Sequence, residues 1–187
     1  MRSAAKPIRG LRGARCIRCR VRMEACVCDV LPQLSTSAPV HVVAHENERR
    51  RSTSTGYLAA RALVDGAYHC HTDELPSFEG ALVLVAGAGR ELNAADRGRP
   101  IVALDGSWRQ ARRMFRKMAA LRSAHAVRLP AGVASRYVLR SETVRGGVST
   151  LEAIAQALGV LEGAGHERVL RELLEVFVAR QRKLRGF

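Results

Sequence analysis

A single carboxylate closes a short apolar run near the middle of the chain. The run is Ile101–Leu104, the carboxylate is Asp105, and Gly106 and Ser107 follow it directly. Short continuous apolar runs are typical of parallel strands that are covered on both faces. A carboxylate at the end of such a strand lies at the sheet edge where ligands bind, and it is placed to accept a proton. We therefore predict that Asp105 is a catalytic general base, and the alternative is a structural role as a strand-end cap or as the partner of Arg109.

The segment after this carboxylate predicts a basic helix from Trp108 to Leu121. Its apolar residues form one stripe, and between them lie five cations without a single acid, namely Arg109, Arg112, Arg113, Arg116 and Lys117. Such a surface suits a polyanion. Ser107 and Gln110 fit the capping-box pattern, which accounts for the helix start and leaves Asp105 free for chemistry.

Some conspicuous side chains are interpreted as structural. The indole of Trp108 could stack on a nucleobase, but its place on the apolar stripe favours packing in the core. Cys70 is expected to be a small buried side chain and not a nucleophile. Four histidines are interpreted as ordinary surface or hydrogen-bonded side chains: His41, His45, His69 and His71. His41 and His45 have the four-residue spacing of a metal site, but they straddle the end of a strand and do not lie within a helix beside a carboxylate.

Four of the five cysteines lie close together in the sequence: Cys16, Cys19, Cys26 and Cys28. Four thiolates satisfy the tetrahedral preference of zinc and leave no open position for water, so such a site is structural. The same residues also fit a pair of disulfides or an iron–sulfur cluster. A reducing cytoplasm disfavours disulfides, and zinc is the interpretation that we favour.

Charge is the strongest feature of the composition. The 187 residues include 31 Lys and Arg against 17 Asp and Glu, which gives a net charge of +14. An arginine-rich coding bias does not explain the distribution alone, because Met1–Met23 holds eight basic residues and no acid. Basic surfaces attract phosphate polymers and bind them in a salt-dependent way. We predict a nucleic acid as the partner.

Length and hydropathy limit the remaining possibilities. A chain of this size fits one domain with a small appendage, and it lacks the run of about 18 apolar residues that a membrane span needs. No apolar core of a secretory signal is present, so we expect a cytoplasmic protein without membrane attachment. We divide the chain into a flexible basic arm (1–14), a four-cysteine zinc knuckle (15–34) and a catalytic domain (35–187). No obligate protein partner is evident.

Strand and helix patterns alternate over the rest of the chain. Apolar runs predict strands at 39–44, 81–86, 101–104 and 124–129, with an extended piece at 136–140. Spaced apolar positions predict helices at 53–64, 108–121, 151–161 and 167–184. This alternation favours an α/β fold with a mostly parallel sheet flanked by helices. Gly87 and Gly89 form a small-residue turn just after one strand, where ligands of such sheets bind.

Several motifs together resemble one family. Asp105-Gly106-Ser107-Trp108 is similar to the D-x-T-W signature of the DTW-domain proteins, the tRNA-uridine aminocarboxypropyltransferases. Ser107 replaces the usual threonine of that signature. The other matching blocks keep the family's order: CIRC and CVC in the cysteine segment, HENE from His45, RSTSTG from Arg51, YVLR from Tyr137 and STLEA from Ser149. Each block alone is weak evidence, but together they are specific.

This resemblance implies a SPOUT-like fold, with a knotted carboxyl region that binds S-adenosylmethionine. It also implies transfer of the 3-amino-3-carboxypropyl group to N3 of a uridine in tRNA, which releases 5′-methylthioadenosine. The residues expected at the co-substrate are Gly87, Gly89, Leu104, Ser107, Leu139, Ser149, Thr150 and Glu152. The residues expected at the tRNA backbone are Arg49, Arg50, Arg51, Arg109, Arg112, Arg113, Arg116 and Lys117.

Alternatives to this function and to some of these roles stay open. A methyltransferase of the SPOUT class would use the same co-substrate and move its methyl group. A zinc-knuckle RNA-binding protein without catalysis would account for the charge and the cysteines, but it leaves the block Asp105–Trp108 without a purpose. Ser149 and Glu152 also fit a capping box, which is a structural role.

Overall fold

The computed structural model describes residues 14–130, 135, 137, 139 and 147–186. Within them, six strands form one sheet, and every neighbouring pair is parallel. The strands are β1 (Val40–Ala44), β2 (Gly66–Cys70), β3 (Leu82–Leu84), β4 (Arg90–Glu91), β5 (Ile101–Asp105) and β6 (His125–Arg128). Their spatial order is β2-β1-β5-β3-β6-β4. The predicted parallel sheet of an α/β fold is confirmed.

Helices cover both faces of this sheet. Those in the described ranges are α1 (Glu46–Arg49), α2 (Thr55–Arg61), α3 (Trp108–Lys117), α4 (Thr150–Leu161) and α5 (Ala164–Arg185). α2, α4 and α5 pack on one face around a core that includes Leu58, Leu158 and Phe177. α3 packs on the other face, where Phe115 contacts a smaller core around Val102. None of the described helices is long and apolar enough to cross a membrane.

Strand β5 brings Asp105 to the carboxyl edge of the sheet near its middle. It pairs with β1 and β3, and Ala44 of β1 lies opposite Asp105. Residues Ile101–Ala103 are at most 2% exposed, because the strand is covered on both faces. Alternate residues point to opposite faces, so Asp105 lies on the face of α2 and α4.

The observed strands differ from the predicted ones mainly at the edges of the sheet. β2 and β4 are absent from the predicted set, because their sequences GAYHC and RE contain no continuous apolar run. β3 covers only part of the predicted 81–86, since the chain turns at Gly87, where φ is +71°. Edge strands of this kind are held by pairing with a neighbour more than by burial.

The helix predicted at 108–121 is shorter in the structure. α3 ends at Lys117, Met118 is extended with φ −79° and ψ 120°, and a 3₁₀ turn occupies Ala119–Leu121. The apolar spacing of the sequence continues through this break, so the pattern does not predict where the helix ends. α1 is a single helical turn in the polar segment that follows β1.

The cysteine segment packs against the α/β core. Val27 is fully buried in the same core as α4 and α5. Arg180 of α5 donates two hydrogen bonds to the carboxylate of Asp29, at 2.6 and 2.7 Å. The guanidinium of Arg20 lies 3.9 Å from the ring centre of Tyr57, a cation–π contact. Burial, an ion pair and an aromatic contact together hold the segment in place.

Some predictions fall outside the described residues. Of the basic arm (1–14), only Ala14 is described, and the extended piece at 136–140 is described at Tyr137 and Leu139, which are both buried. The SPOUT-type knot and the division into arm, knuckle and catalytic domain stay predictions.

Candidate active site at the carboxyl edge of the sheet

Asp105 is buried at the end of β5, with 4% of its surface exposed. The hydroxyl of Ser54 donates to one carboxylate oxygen, Oδ2, at 2.7 Å. The hydroxyl of Thr150 donates to the other oxygen, Oδ1, also at 2.7 Å. The backbone carbonyl of Asp105 accepts from the N–H of His45 at 2.8 Å. These contacts fix the carboxylate in one orientation.

Both of these hydroxyls stand at the start of a helix. Ser54 is the N-cap of α2, and Thr150 is the first residue of α4. The amino end of a helix carries partial positive charge, so two such ends converge on the Asp105 carboxylate. A β-carbon added at Gly56 would lie 2.5 Å from Asp105 Oδ2, and glycine is therefore required for α2 to approach this closely.

The charge of Asp105 affects the pKa of a side chain on strand β2, Tyr68. The hydroxyl of Tyr68 is buried, and among the described residues it has no hydrogen-bond partner. Burial, and next the negative charge of Asp105, raise the pKa of Tyr68. The phenol therefore stays neutral at physiological pH.

A cavity of about 340 Å³ lies beside Asp105 at the same edge of the sheet. Thr150 connects the two, because it lines the cavity and donates to the carboxylate. The lining is mostly apolar with a few polar groups, as is usual for a small-molecule site. It consists of Leu84, Val85, Ala86, Gly87, Ala103, Leu104, Gly106, Trp108, Ala111, Arg112, Arg128, Leu129, Pro130, Val148, Thr150, Ala153 and Gln156.

Two guanidinium groups of this lining have different surroundings. Arg128 donates to the carbonyl of Gly89 at 2.8 Å and lies 3.6 Å from the carboxylate of Glu91. Arg112 is exposed and forms no ion pair with a carboxylate in the part of the chain that the structure describes. The protein thus compensates one positive charge of the cavity and leaves the other available.

α3 begins as the sequence predicts. The Ser107 hydroxyl accepts from the Gln110 N–H at 3.4 Å, and Gln110 Oε1 accepts from the Ser107 N–H at 2.8 Å. The capping box is confirmed, and Asp105 has no part in it. The core role of Trp108 is wrong, since its side chain is half-buried, lies outside both cores and lines the cavity. The first turn of α3 lines the cavity, and the helix packs on the sheet only further along, at Phe115.

The structure brings three of the predicted co-substrate residues together at the cavity: Gly87, Leu104 and Thr150. The other five lie outside its lining. Ser149 and Glu152 form the capping box of α4, with the Glu152 carboxylate accepting from the Ser149 N–H at 2.8 Å. A role for either residue at the co-substrate would be indirect, through the position of α4.

Gly89, Ser107 and Leu139 complete the set outside the lining. Gly89 has φ +73°, and a β-carbon there would collide with the backbone of Ala126. Ser107 caps α3, as described above, and Leu139 lies in the core shared by α4 and α5. Their co-substrate roles stay predictions.

The predicted RNA-binding cations are all exposed. Arg49 lies 3.4 Å from Asp73, and Arg51 lies 3.3 Å from Glu48. The backbone carbonyl of Arg50 accepts a hydrogen bond from the guanidinium of Arg15 at 2.7 Å. The five cations of α3, in contrast, form no ion pair with any described carboxylate. α3 is therefore the better candidate for a phosphate-binding surface.

The four histidines form two pairs. His41 Nδ1 and His69 Nε2 lie 3.2 Å apart, and the rings of His45 and His71 stack with their centres 4.6 Å apart. Burial, and next the neighbouring His69, lower the pKa of His41. These contacts agree with the interpretation of hydrogen-bonded or stacked side chains. Cys70 is buried, as predicted.

The four clustered cysteines bring their sulfur atoms within 4.8 Å of one another, as free thiols. The Sγ atoms of Cys16 and Cys28 are 3.5 Å apart, and those of Cys19 and Cys26 are 3.7 Å apart. Zinc–sulfur bonds of about 2.3 Å in a tetrahedron separate the sulfurs by about 3.8 Å, so the cluster fits zinc. Burial raises the pKa of Cys19 to about 11. For Cys16, burial acts to raise the pKa, but hydrogen bonds from the backbone of Cys19 and Arg18 and from the neighbouring thiols together lower it to about 7.

Sequence reasoning missed most of the cavity lining. The missed residues lie at the ends of β3 and β6, such as Leu84 and Leu129, and on α4, where Ala153 and Gln156 follow Thr150. A signal was present, because the ends of parallel strands share one edge of the sheet. The α4 residues recur every three positions, the spacing of one helix face.

The model of the DTW domain family matches residues 13–182. The chain belongs to this family. The match includes the cysteine cluster, the buried carboxylate and the cavity, and it confirms the resemblance that the motifs indicate.

Three relatives carry the description tRNA-uridine aminocarboxypropyltransferase 2. The protein of Macaca fascicularis is 28% identical over 84% of this chain and 60% of its own length. That of Mus musculus is 30% identical over 79% of this chain and 56% of its own. That of Drosophila melanogaster is 27% identical over 79% and 66%. The chain thus spans less than two thirds of the length of these relatives.

One solved structure is similar in fold. It is the SAM-dependent rRNA:acp-transferase Tsr3 from Vulcanisaeta distributa, with a TM-score of 0.51 and 20% sequence identity. The similarity covers 79% of this chain and 89% of that one. At 20% sequence identity, this similarity shows a shared fold and nothing more.

Proposed function

We propose that this protein transfers the 3-amino-3-carboxypropyl group of S-adenosylmethionine to N3 of a uridine in tRNA. The observation that carries the proposal is the link through Thr150, which lines the cavity and donates to the buried Asp105. A co-substrate site thereby lies directly beside a fixed carboxylate. Membership of the DTW family and the descriptions of its relatives support the same reaction.

The proposed chemistry needs a base, because the N3 proton of uridine is only weakly acidic. Asp105 is too buried for direct contact, so the Thr150 hydroxyl passes its own proton to Oδ1 while it takes the proton from N3. The electron pair on N3 forms a bond to the γ-carbon beside the sulfonium. The bond from that carbon to sulfur breaks, its electron pair neutralises the sulfur, and 5′-methylthioadenosine leaves. General-base assistance of this kind is worth roughly 10²–10⁴ in rate.

The co-substrate is proposed to occupy the cavity between α3 and α4. Gly87, Leu104 and Thr150 are the predicted residues that would contact it. The remaining predicted residues would act through position, because they cap helices or fill the core. The SPOUT-type knot of the carboxyl region belongs to this proposal, as do the arm, knuckle and catalytic domain boundaries.

The tRNA is proposed to bind on the exposed cations of α3, with the basic arm and Arg49–Arg51 as further contacts. The support is the stripe of positive charge, which begins at the mouth of the cavity and lacks acidic partners among the described residues. Lysine and arginine contacts to phosphates add affinity without reading the base sequence.

Zinc is proposed to occupy the four-cysteine cluster with a structural role. It would bind all four thiolates and stabilise the small segment that packs on α5. Reduced thiols suit the cytoplasmic location that we propose. Metal analysis of the purified protein should give one zinc per chain, lost in Cys19→Ser and retained in Cys70→Ser. Iron with acid-labile sulfide, or oxidised cysteines, would contradict zinc.

The experiment for the reaction is an analysis of the co-product. The purified protein is incubated with S-adenosylmethionine and tRNA, and the small molecules are separated by chromatography. Release of 5′-methylthioadenosine that depends on tRNA supports the proposal. S-adenosylhomocysteine instead would identify a methyltransferase, and an unchanged co-substrate with bound tRNA would identify an RNA-binding protein without catalysis.

A further inference from the structure

The cations of α3 do not form one uniform set. Trp108, Ala111 and Arg112 line the cavity, whereas Arg109, Arg113, Arg116 and Lys117 do not. Trp108, Ala111 and Arg112 share one face at the start of the helix, because residues three and four apart lie on the same face, and Arg116 follows one turn later. The face that carries Trp108 also carries Arg112, and it turns toward the cavity. Arg112 is thus separated from the other four cations of α3, although the sequence assigns all five to tRNA.

Among the residues that the structure describes, no carboxylate compensates the charge of Arg112. Arg128, the other guanidinium of the lining, is hydrogen-bonded to Gly89 and lies near Glu91. Arg112 forms no ion pair within the described ranges, and the rest of the lining is neutral. A ligand that brings a carboxylate to this wall of the cavity would gain a charge-assisted contact.

The proposed co-substrate has one negatively charged group, the carboxylate at the end of its methionine part. We propose that Arg112 binds this carboxylate and holds the aminocarboxypropyl chain inside the cavity. This inference rests on the proposed function and names the group that orients the transferred chain. The sulfonium lies at one end of the chain and the carboxylate at the other. Fixing the carboxylate limits the positions open to the γ-carbon that N3 attacks.

The test compares ligands that differ at this carboxylate. Calorimetry measures the binding of S-adenosylmethionine, decarboxylated S-adenosylmethionine and 5′-methylthioadenosine without RNA. In Arg112→Gln the affinity for S-adenosylmethionine should fall about tenfold, the loss expected for one hydrogen bond to a charged group. The affinities for the two ligands without a carboxylate should stay unchanged. Arg112→Lys should retain part of the affinity for S-adenosylmethionine.

Arg113→Gln is the matched control, because it removes the adjacent charge from the same helix outside the cavity. Its affinity for S-adenosylmethionine should equal that of the wild type, and thermal melting should show both variants folded. An equal loss for all three ligands in Arg112→Gln, or no loss for any, would overturn the inference. If the wild type binds none of the three ligands, the proposed function itself fails, which is a distinguishable result.

Discussion

α3 and α4 begin at the same edge of the sheet with the same local motif, a capping box, and both contribute to the cavity. Their surroundings differ. α3 buries one residue, Met114, while α4 buries seven: Leu151, Glu152, Ile154, Ala155, Ala157, Leu158 and Leu161. α3 therefore carries the exposed cations on a helix with little burial of its own, whereas α4 packs in the main core.

This difference separates two tasks at one site. α4 holds Thr150 against Asp105 and would form a well-packed wall of the proposed site. α3 would present its positive charge to ligands, and its packing on the sheet should contribute little to the stability of the protein. A start motif alone does not distinguish these tasks, because capping satisfies the backbone of any helix. Variants on the two helices should therefore affect different measurements.

The largest effect is expected at the carboxylate that α4 contacts. Asp105→Asn retains the size of the side chain and one oxygen acceptor but removes the proton-accepting charge. The single-turnover rate with saturating tRNA should fall about 10²–10⁴-fold. The binding of 5′-methylthioadenosine should change little.

Two hydroxyl variants sharpen this prediction. Thr150→Val removes the proposed relay at Oδ1, whereas Ser54→Ala removes only the hydrogen bond to Oδ2. The rate should fall more in Thr150→Val than in Ser54→Ala. Wild-type rates in a folded Asp105→Asn protein would exclude the carboxylate from the chemistry.

The next effect concerns stability and should appear on α4 alone. Leu158 is 1% exposed in the main core, and Leu158→Ala should lower the free energy of unfolding by about 2–5 kcal/mol. Arg116→Ala on α3 should change it by less than about 0.5 kcal/mol. Urea unfolding measures both values. Similar losses in the two variants would contradict the different roles of the helices.

A smaller effect is expected from acid, through a 3₁₀ turn at Ala94–Asp96 that α4 contacts. The hydrogen bond from Arg90 lowers the pKa of Asp96, which is 3% exposed. The carboxylate therefore contributes stability above its unfolded pKa of about 3.9, and this is lost as the pH falls through the lower folded value. The contribution should be on the order of 1–3 kcal/mol.

Asp96→Asn is the variant for this prediction. Thermal melting as the pH is lowered from neutral to below the unfolded pKa of about 3.9 should show a weaker pH dependence than in the wild type. An unchanged pH dependence would show that the ion pair of Asp96 does not contribute to stability.

The smallest effect is expected for the solvent face of α3. Arg113→Gln with Arg116→Gln should weaken tRNA binding and lower the slope of log affinity against log salt by about 1–2. The protein with Arg168→Gln and Arg171→Gln loses the same charge from α5 and should retain more of the slope. Equal slopes in the two double variants would remove α3 from the tRNA surface.

The local features of these helices could be predicted from the sequence. Ser107 with Gln110, and Ser149 with Glu152, are short-range patterns whose geometry is set within one turn. The apolar run before Asp105 likewise predicts a buried strand, because such a run has few other stable environments. The spacing of the four cysteines also predicts a cluster, because four thiolates close together in the sequence can bind one zinc ion.

The non-local features could not be predicted. Ser54 and Thr150 meet at Asp105 although they are 96 positions apart, and only the packing of α2 and α4 brings them together. Trp108 has the spacing of a core residue, but the cavity replaces the core at the start of α3. The position of Arg112 in the lining follows from the same packing, and no local pattern distinguishes it from Arg113.

The central claim is that the cavity between α3 and α4 supports transfer of the aminocarboxypropyl group to a uridine. The most direct test uses two preparations of S-adenosylmethionine, one with carbon-13 in the methyl group and one with it in the aminocarboxypropyl chain. After reaction, tRNA is digested and its nucleosides are measured by mass spectrometry. The account predicts a modified uridine that carries label only from the aminocarboxypropyl chain. Label from the methyl group, or no labelled nucleoside from an intact protein, would contradict it.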